Sequence, residues 1–312
     1  MRRTLLVGLS VFAVLTLNVV LANAASVRTG VIHAMKVNKP AHHKGGGGGV
    51  LLASHGGAIE QTPAVYVVYW GPQWASGFGT SPNASSDAQT YIQGFFGNVG
   101  GSSWAGSTTQ YCQGVAAGTT NCAGKVGAAF ITSPRGQLAG VWNDTSAVPS
   151  RLGTSSIAAE ALNAVAHFGY NANADYMVFT PSGHSTSGFG TQFCAWHSST
   201  NSSSGPVSFS NMPYQPDAGA ACGMNFVNGN GYFDGFSIVG GHEYAETITD
   251  PFPSTGWVDG AGAENGDKCA WISSGQGAAQ DVTLSGGVPY PVQSLWSNAF
   301  NGGAGGCVVS YP

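Results

Sequence analysis

The residues best suited to chemistry lie in Gly240-Gly241-His242-Glu243-Tyr244-Ala245-Glu246 and its acidic sequel, through Thr249-Asp250-Pro251 and Trp257-Val258-Asp259 to Glu264-Asn265-Gly266-Asp267-Lys268-Cys269. On a helix, His242 and Glu246 share one face, so both can reach a single cation while Glu243 projects beside it. This is the geometry of a zinc-hydrolase helix with a carboxylate in place of the second histidine. His242 and Glu246 are then ligands, and Glu243 is the general base that polarises a water. A further ligand must come from Asp250, Asp259, Glu264 or Asp267, of which we assign Asp250 and Glu264. Zinc is the expected cation, although so oxygen-rich a set also admits manganese, magnesium or calcium.

Two plainer uses of these residues compete. His242 could bond within its helix while Glu243 and Glu246 face solvent. Alternatively, six of the fourteen acids crowd between Glu243 and Asp267 in glycine-rich loops, which would suit a stabilising calcium near Asp259, Glu264 and Asp267. Of the other histidines, His184 and His197 follow strand ends, where sites often assemble. Either could complete the metal shell or stabilise an oxyanion, and we assign His197 a catalytic role. His167 belongs to helix packing. No Gly-x-Ser-x-Gly elbow supports a serine triad. The eight tryptophans could line a sugar platform, but in a chain poor in Leu they are needed as core volume.

These residues must be held by a scaffold. Ala64 to Trp70 is a continuous β-branched and aromatic run stopped by Gly71-Pro72, as in a central strand covered on both faces. Helical spacing follows from Ser85 to about Val99, and again from Ser155 to Phe168 with Ser155 or Ser156 as cap. Val126 to Ile131 and Asp175 to Thr180 read as further strands, and Phe193 to His197 with Val207 to Ser210 as two short ones. The motif helix spans about Phe236 to Thr249, since Pro251 and Pro253 cannot continue it. Val282 to Val292 reads as a closing hairpin. The order implies an α/β or α+β single domain from residue 50 to 312: a mixed β-sheet with packed helices, long Gly/Ser-rich loops and disulfide stabilisation.

Met1-Arg2-Arg3, an apolar run from Leu5 to about Leu21 and Ala22-Asn23-Ala24 form a secretory signal over residues 1–24, with an uncleaved anchor as the alternative. Residues 25–49 are basic and end in Gly45 to Gly49, which predicts a flexible linker or pro-segment. Its charge suits it to lie against the acidic domain and block the site. His42 and His43 on this tail are solvated. All fourteen acids lie after Val50, against only Lys125, Arg135, Arg151 and Lys268, which argues against nucleic acid and anionic membranes. Six cysteines in an exported chain suggest disulfides, with fifteen possible connectivities. Loop closure favours neighbours: Cys112 with Cys122, Cys194 with Cys222, and Cys269 with Cys307. A four-cysteine zinc site lacks any CxxC pair.

The chain resembles the EXORDIUM-like, or phosphate-induced protein, family of secreted plant proteins and their bacterial relatives. The matching features are His55-Gly56-Gly57 leading into Val65 to Trp70 with Gly71, Phe193-Cys194-Ala195-Trp196-His197-Ser198, Gly241-His242-Glu243 with Thr249-Asp250-Pro251, and Gln293-Ser294-Leu295-Trp296-Ser297-Asn298 before Cys307. The resemblance implies an exported, disulfide-bonded extracellular or cell-wall protein without a settled activity. The residues themselves lead to an exported metal-dependent hydrolase, peptidase-like, acting on a peptide or cell-wall substrate, a monomer with no membrane insertion after signal cleavage. A non-enzymatic extracellular binding protein with structural calcium is the alternative.

Overall fold

The structure, a computed structural model, describes residues 27–38, 50–78 and 84–310. Residues 1–24, read as the signal peptide, and His42, His43 and the glycine run lie outside them. The frame is a six-stranded mixed sheet built from β1 (His33–Lys36), β2 (Ala64–Trp70), β3 (Leu138–Asp144), β4 (Ala174–Phe179), β5 (Phe193–Ser202) and β6 (Gly205–Met212). Its order is β1-β5-β6-β4-β2-β3. Strands β3, β2, β4 and β6 run parallel, β5 pairs antiparallel with β6 as a hairpin, and β1 pairs antiparallel with the outer edge of β5.

Period-2 alternation divides the inner strands between two cores. On one face Val65, Val67, Tyr69, Met177 and Phe179 pack against Ile92, Phe95 and Phe96 of α1 (Ala84–Val99) and against α3 (Asp234–Thr249). On the other, Val68, Trp70, Tyr176 and Val178 pack against Ile157, Ala158 and Ala161 of α2 (Thr154–Phe168). Each fully buried large aliphatic or aromatic side chain contributes about 1.5–3 kcal/mol through removal from water. Seven tryptophans, Trp70, Trp74, Trp104, Trp196, Trp257, Trp271 and Trp296, are buried, so they serve as core volume.

A third core, around Leu52, Ile59, Tyr111 and Trp257, gathers two of the disulfides. All three pairings are those expected from loop length: Cys112–Cys122, Cys194–Cys222 and Cys269–Cys307. Each such bridge contributes about 2–4 kcal/mol, mainly by restricting the unfolded chain. Three disulfides are the mark of an oxidising compartment. Among the described residues, no helix is long and apolar enough to cross a membrane.

Two expectations are corrected. Of Val126 to Ile131, only Ala129–Phe130 is a strand, and it pairs with Cys112–Gln113 outside the main sheet. The strand beside β2 is instead Leu138–Asp144, an edge strand whose half-exposed residues, with Gly140 and Asn143, carry no continuous apolar run. The second correction concerns the segment read as a flexible linker from residue 25 to 49. Its His33–Lys36 part is β1, because extended backbone against the free edge of β5 satisfies ladder hydrogen bonds and Met35 is fully buried.

Several buried acids lie apart from the motif, among them Glu60, Glu160 and Asp175. Glu160 of α2 is 1% exposed and accepts a bond from Asn163 Nδ2 at 2.9 Å. Burial pushes its carboxyl up to about 8, with Asn163 opposing and the charge of Asp144 assisting. The folded state therefore holds this proton more tightly than the unfolded chain does, and stability falls as pH rises from 4.5 to about 8. Glu160→Gln removes that contribution, so melting temperature should vary less over about pH 5 to 8 in the variant than in the wild type. An unchanged pH profile would show that Glu160 does not titrate in this range.

Candidate metal centre

Helix α3 is buried along its whole length, charged residues included. That placement depends on Gly240 and Gly241. A Cβ at Gly240 would meet Phe96 Cζ at 3.2 Å, and one at Gly241 would meet Trp104 Cη2 at 3.0 Å and Phe95 Cζ at 3.2 Å. The two glycines let the helix settle onto α1 despite the cost of about 1 kcal/mol each relative to Ala in a helix. Glu243 and Glu246 are both 0% exposed, which removes the reading in which they face solvent.

Three histidines and four carboxylates converge on and beside this helix. His242 Nε2 lies 3.0 Å from Glu246 Oε1 and 3.9 Å from Asp267 Oδ1. From β5, His197 Nε2 lies 3.2 Å from Glu264 Oε2 and 3.7 Å from Glu246 Oε2. From β1, His33 reaches Asp267 Oδ2 with Nε2 at 2.5 Å and Glu264 Oε1 with Nδ1 at 3.5 Å. Three sets bring their donor atoms within 4.8 Å of one another: His33, Glu246 and Glu264; His197, Glu243 and Glu246; His242, Glu246 and Asp267. Glu246 belongs to all three, so these buried His/Glu groups could hold a metal ion.

The donor atoms are short of partners. Both ring nitrogens of His197, Nε2 of His242, Oε2 of Glu246 and both carboxyl oxygens of Glu243 and Glu264 are buried without an aligned hydrogen bond among the described residues. Leaving so many polar atoms unsatisfied costs about 1–3 kcal/mol each, more when charged, whereas a cation satisfies several at once. The surroundings orient what the cation would need. His242 Nδ1 meets Gln293 Oε1 at 3.1 Å, and Gln293 Nε2 donates to the Gly266 carbonyl at 2.8 Å. With Nδ1 turned to Gln293, Nε2 is the His242 nitrogen that faces Glu246 and the rest of the cluster. The Asp267 backbone N–H donates to Glu246 Oε1 at 2.9 Å.

The electrostatics agree with a site short of positive charge. Burial, then the charges of Glu246 and Asp267, raise the Glu243 carboxyl well above its usual range, and the Met35 peptide only partly opposes this. Glu264 is raised well above it by burial and by Glu246, Asp250 and Asp267. Burial, with His33 and His242, holds His197 well below 6.5 and thus neutral. For His33, burial is outweighed by the bond to Asp267 and the nearby carboxylates, which raise it to about 9.

Of the assigned ligands, His242, Glu246 and Glu264 are brought together, and His197, assigned to catalysis, stands among them as a ligand candidate. Asp250 is a correction. Its carboxylate accepts the backbone N–H groups of Ser254 at 2.6 Å, Thr255 at 3.1 Å and Gly256 at 2.6 Å, so it ties the turn after α3 and only backs Glu264. Asp259 likewise pairs with Lys268 Nζ at 2.8 Å and holds the turn to Ala263. That removes it from any calcium site with Glu264 and Asp267. His184 contacts Gln73, and His167 stacks on Trp142, both away from the cluster. His33 and Gln293 were missed: β1 lies in a segment whose composition resembles a linker, and Gln293 has only a backing role.

Gly266 tests this geometry. A Cβ there would lie 2.7 Å from His242 Nδ1 and 2.9 Å from Glu246 Oε1, while its φ of −76° permits any residue. Gly266→Ala should weaken divalent-cation affinity by about 10–100-fold, measured by competition with a chromophoric chelator. Unchanged affinity would place the cation elsewhere. The chain matches no protein-family model and resembles no curated protein or solved structure at a significant level.

Proposed function

We propose that the protein is an exported metal-dependent hydrolase, peptidase-like, whose cation is held by His197, His242, Glu246 and Glu264. The observation that carries this reading is the convergence of buried, unpartnered donor atoms from a strand, a helix and a loop, with the unpartnered Glu243 carboxyl beside them. Two imidazoles and two carboxylates favour zinc over calcium, which prefers oxygen alone. A divalent cation bound there supplies Lewis acidity toward a carbonyl oxygen and toward water.

Glu243 accepts the proton of the attacking water and returns it to the departing amine, so that a peptide and one water give a carboxylic acid and an amine. Gln293 holds the His242 tautomer, and the Asp267 N–H holds Glu246 in place. Export is supported by the N-terminal signal pattern and the three disulfides. Purified protein should carry one equivalent of divalent cation, and peptide hydrolysis should stop on chelation. Absence of stoichiometric metal would overturn the proposal.

A structural cation in a non-enzymatic extracellular binding protein is the second reading. It is favoured by the complete burial of His197, His242, Glu243, Glu246 and Glu264 behind β1.

A further inference from the structure

Within the cluster, His33 and Asp267 reach solvent, with side chains 17% and 23% exposed, at a cleft of about 550 Å³ lined by Ile32, Ala34, Lys36, Ala263 and Trp271. Strand β1 thus closes the site, and it does so as a peptide would. It adds antiparallel to the edge of β5 in the register His33 to His197, Ala34 to Trp196 and Met35 to Ala195. The flanking backbone continues the contact: Gly30 N–H donates to the Ser199 carbonyl at 2.6 Å, Val37 N–H to Gln192 at 3.3 Å and Asn38 N–H to Ala221 at 2.8 Å. Side chains clamp it from outside, with Ser198 Oγ on the Val31 carbonyl at 2.7 Å, Thr200 Oγ1 on Arg28 at 2.8 Å and Trp271 Nε1 on Lys36 at 2.7 Å.

Main-chain bonds to a sheet edge, with alternate side chains in pockets, are a mode by which proteins take extended peptides, the backbone supplying affinity and the pockets specificity. Here the inward side chains are His33, on Asp267 and Glu264, and Met35, fully buried with its peptide against Glu243. No disulfide secures the strand, since all six cysteines lie between Cys112 and Cys307. It is joined to the domain only through residues 39–49.

We propose that the outer edge of β5 is a binding site for an extended polypeptide, that residues 27–38 occupy it as an internal ligand with His33 anchored in the acidic cluster, and that their departure admits substrate to Glu243. The docking stands on the contacts above; its consequence for turnover rests on the hydrolase reading.

The test uses the full chain, folded first, with Gly45 to Gly49 replaced by the recognition sequence of a specific protease. After cutting, the N-terminal fragment should exchange with a fluorescent synthetic peptide of residues 27–38 without loss of the circular-dichroism signature. A peptide carrying His33→Ala should bind at least about tenfold more weakly. Peptide hydrolysis should rise roughly tenfold or more when the fragment is removed and fall competitively when the peptide is added back. A fragment that cannot be exchanged short of unfolding, or a His33→Ala peptide that binds as tightly as the native one, would overturn the inference. Exchange that depends on His33 but exposes no hydrolysis would uphold the strand site and defeat the hydrolase reading instead.

Discussion

Glu243→Gln is expected to lower peptide hydrolysis by about 10²–10⁴-fold, the range contributed by a positioned general base. The amide has the shape of the carboxyl, so the packing of α3 is kept, but it cannot accept the proton of the attacking water. Glu243 is suited to this variant because its oxygens bond to no other side chain among the described residues, and the Met35 peptide beside it can donate to the amide oxygen of Gln as well as to a carboxylate. Cation content and melting temperature should therefore stay at the wild-type level while turnover disappears. The comparison belongs in the full chain and in the chain cut after folding, since β1 covers Glu243. Equal turnover in variant and wild type, with the fragment removed, would end the hydrolase reading and leave the cation a structural role.

Removing the cation should have the largest effect on stability. A ligand that binds only the folded state at 1,000 times its dissociation constant stabilises by about 4.1 kcal/mol. At about 2–4 °C per kcal/mol for a domain of this size, chelation should lower the melting temperature by on the order of 10 °C. The loss should deepen as pH rises. Burial and neighbouring carboxylates raise Glu243 and Glu264 well above 4.5 in the folded protein, so without a cation the folded state holds protons that the unfolded chain releases. Stability of the chelated protein then falls as pH climbs above 4.5, and a bound cation removes the slope. Scanning calorimetry at several pH values, with zinc and then calcium restored, checks both points. Recovery with zinc at far lower concentration than calcium follows from the two-imidazole donor set; no shift on chelation would remove the cation from the fold altogether.

Much of the scaffold is legible without coordinates because it depends on short-range pattern. The run Ala64–Trp70 is apolar at successive positions and becomes β2, covered on both faces. The helices α1 and α2 follow their apolar spacing within a residue or two. Disulfide partners separated by 10, 28 and 38 residues are those of lowest closure entropy. Leu138–Asp144 was not legible, because a half-exposed edge strand needs no continuous apolar run.

The site divides in the same way. His242 and Glu246 are on one helical face by the 3.6-residue repeat alone, and the carboxylates that follow supply further oxygens able to hold a cation. Which of those carboxylates turn inward was decided by loop geometry: Asp250 and Asp259 are consumed by turns, whereas Glu264 and Asp267 reach the histidines. No local pattern could reveal that His33 meets Asp267 across 234 positions of chain. That contact exists because β1 pairs with β5 and β5 passes beside α3. The sequence by itself determined a helix able to hold a cation; the sheet edge decided what completes it and what covers it, since residues far apart in the chain meet only through strand pairing and core packing.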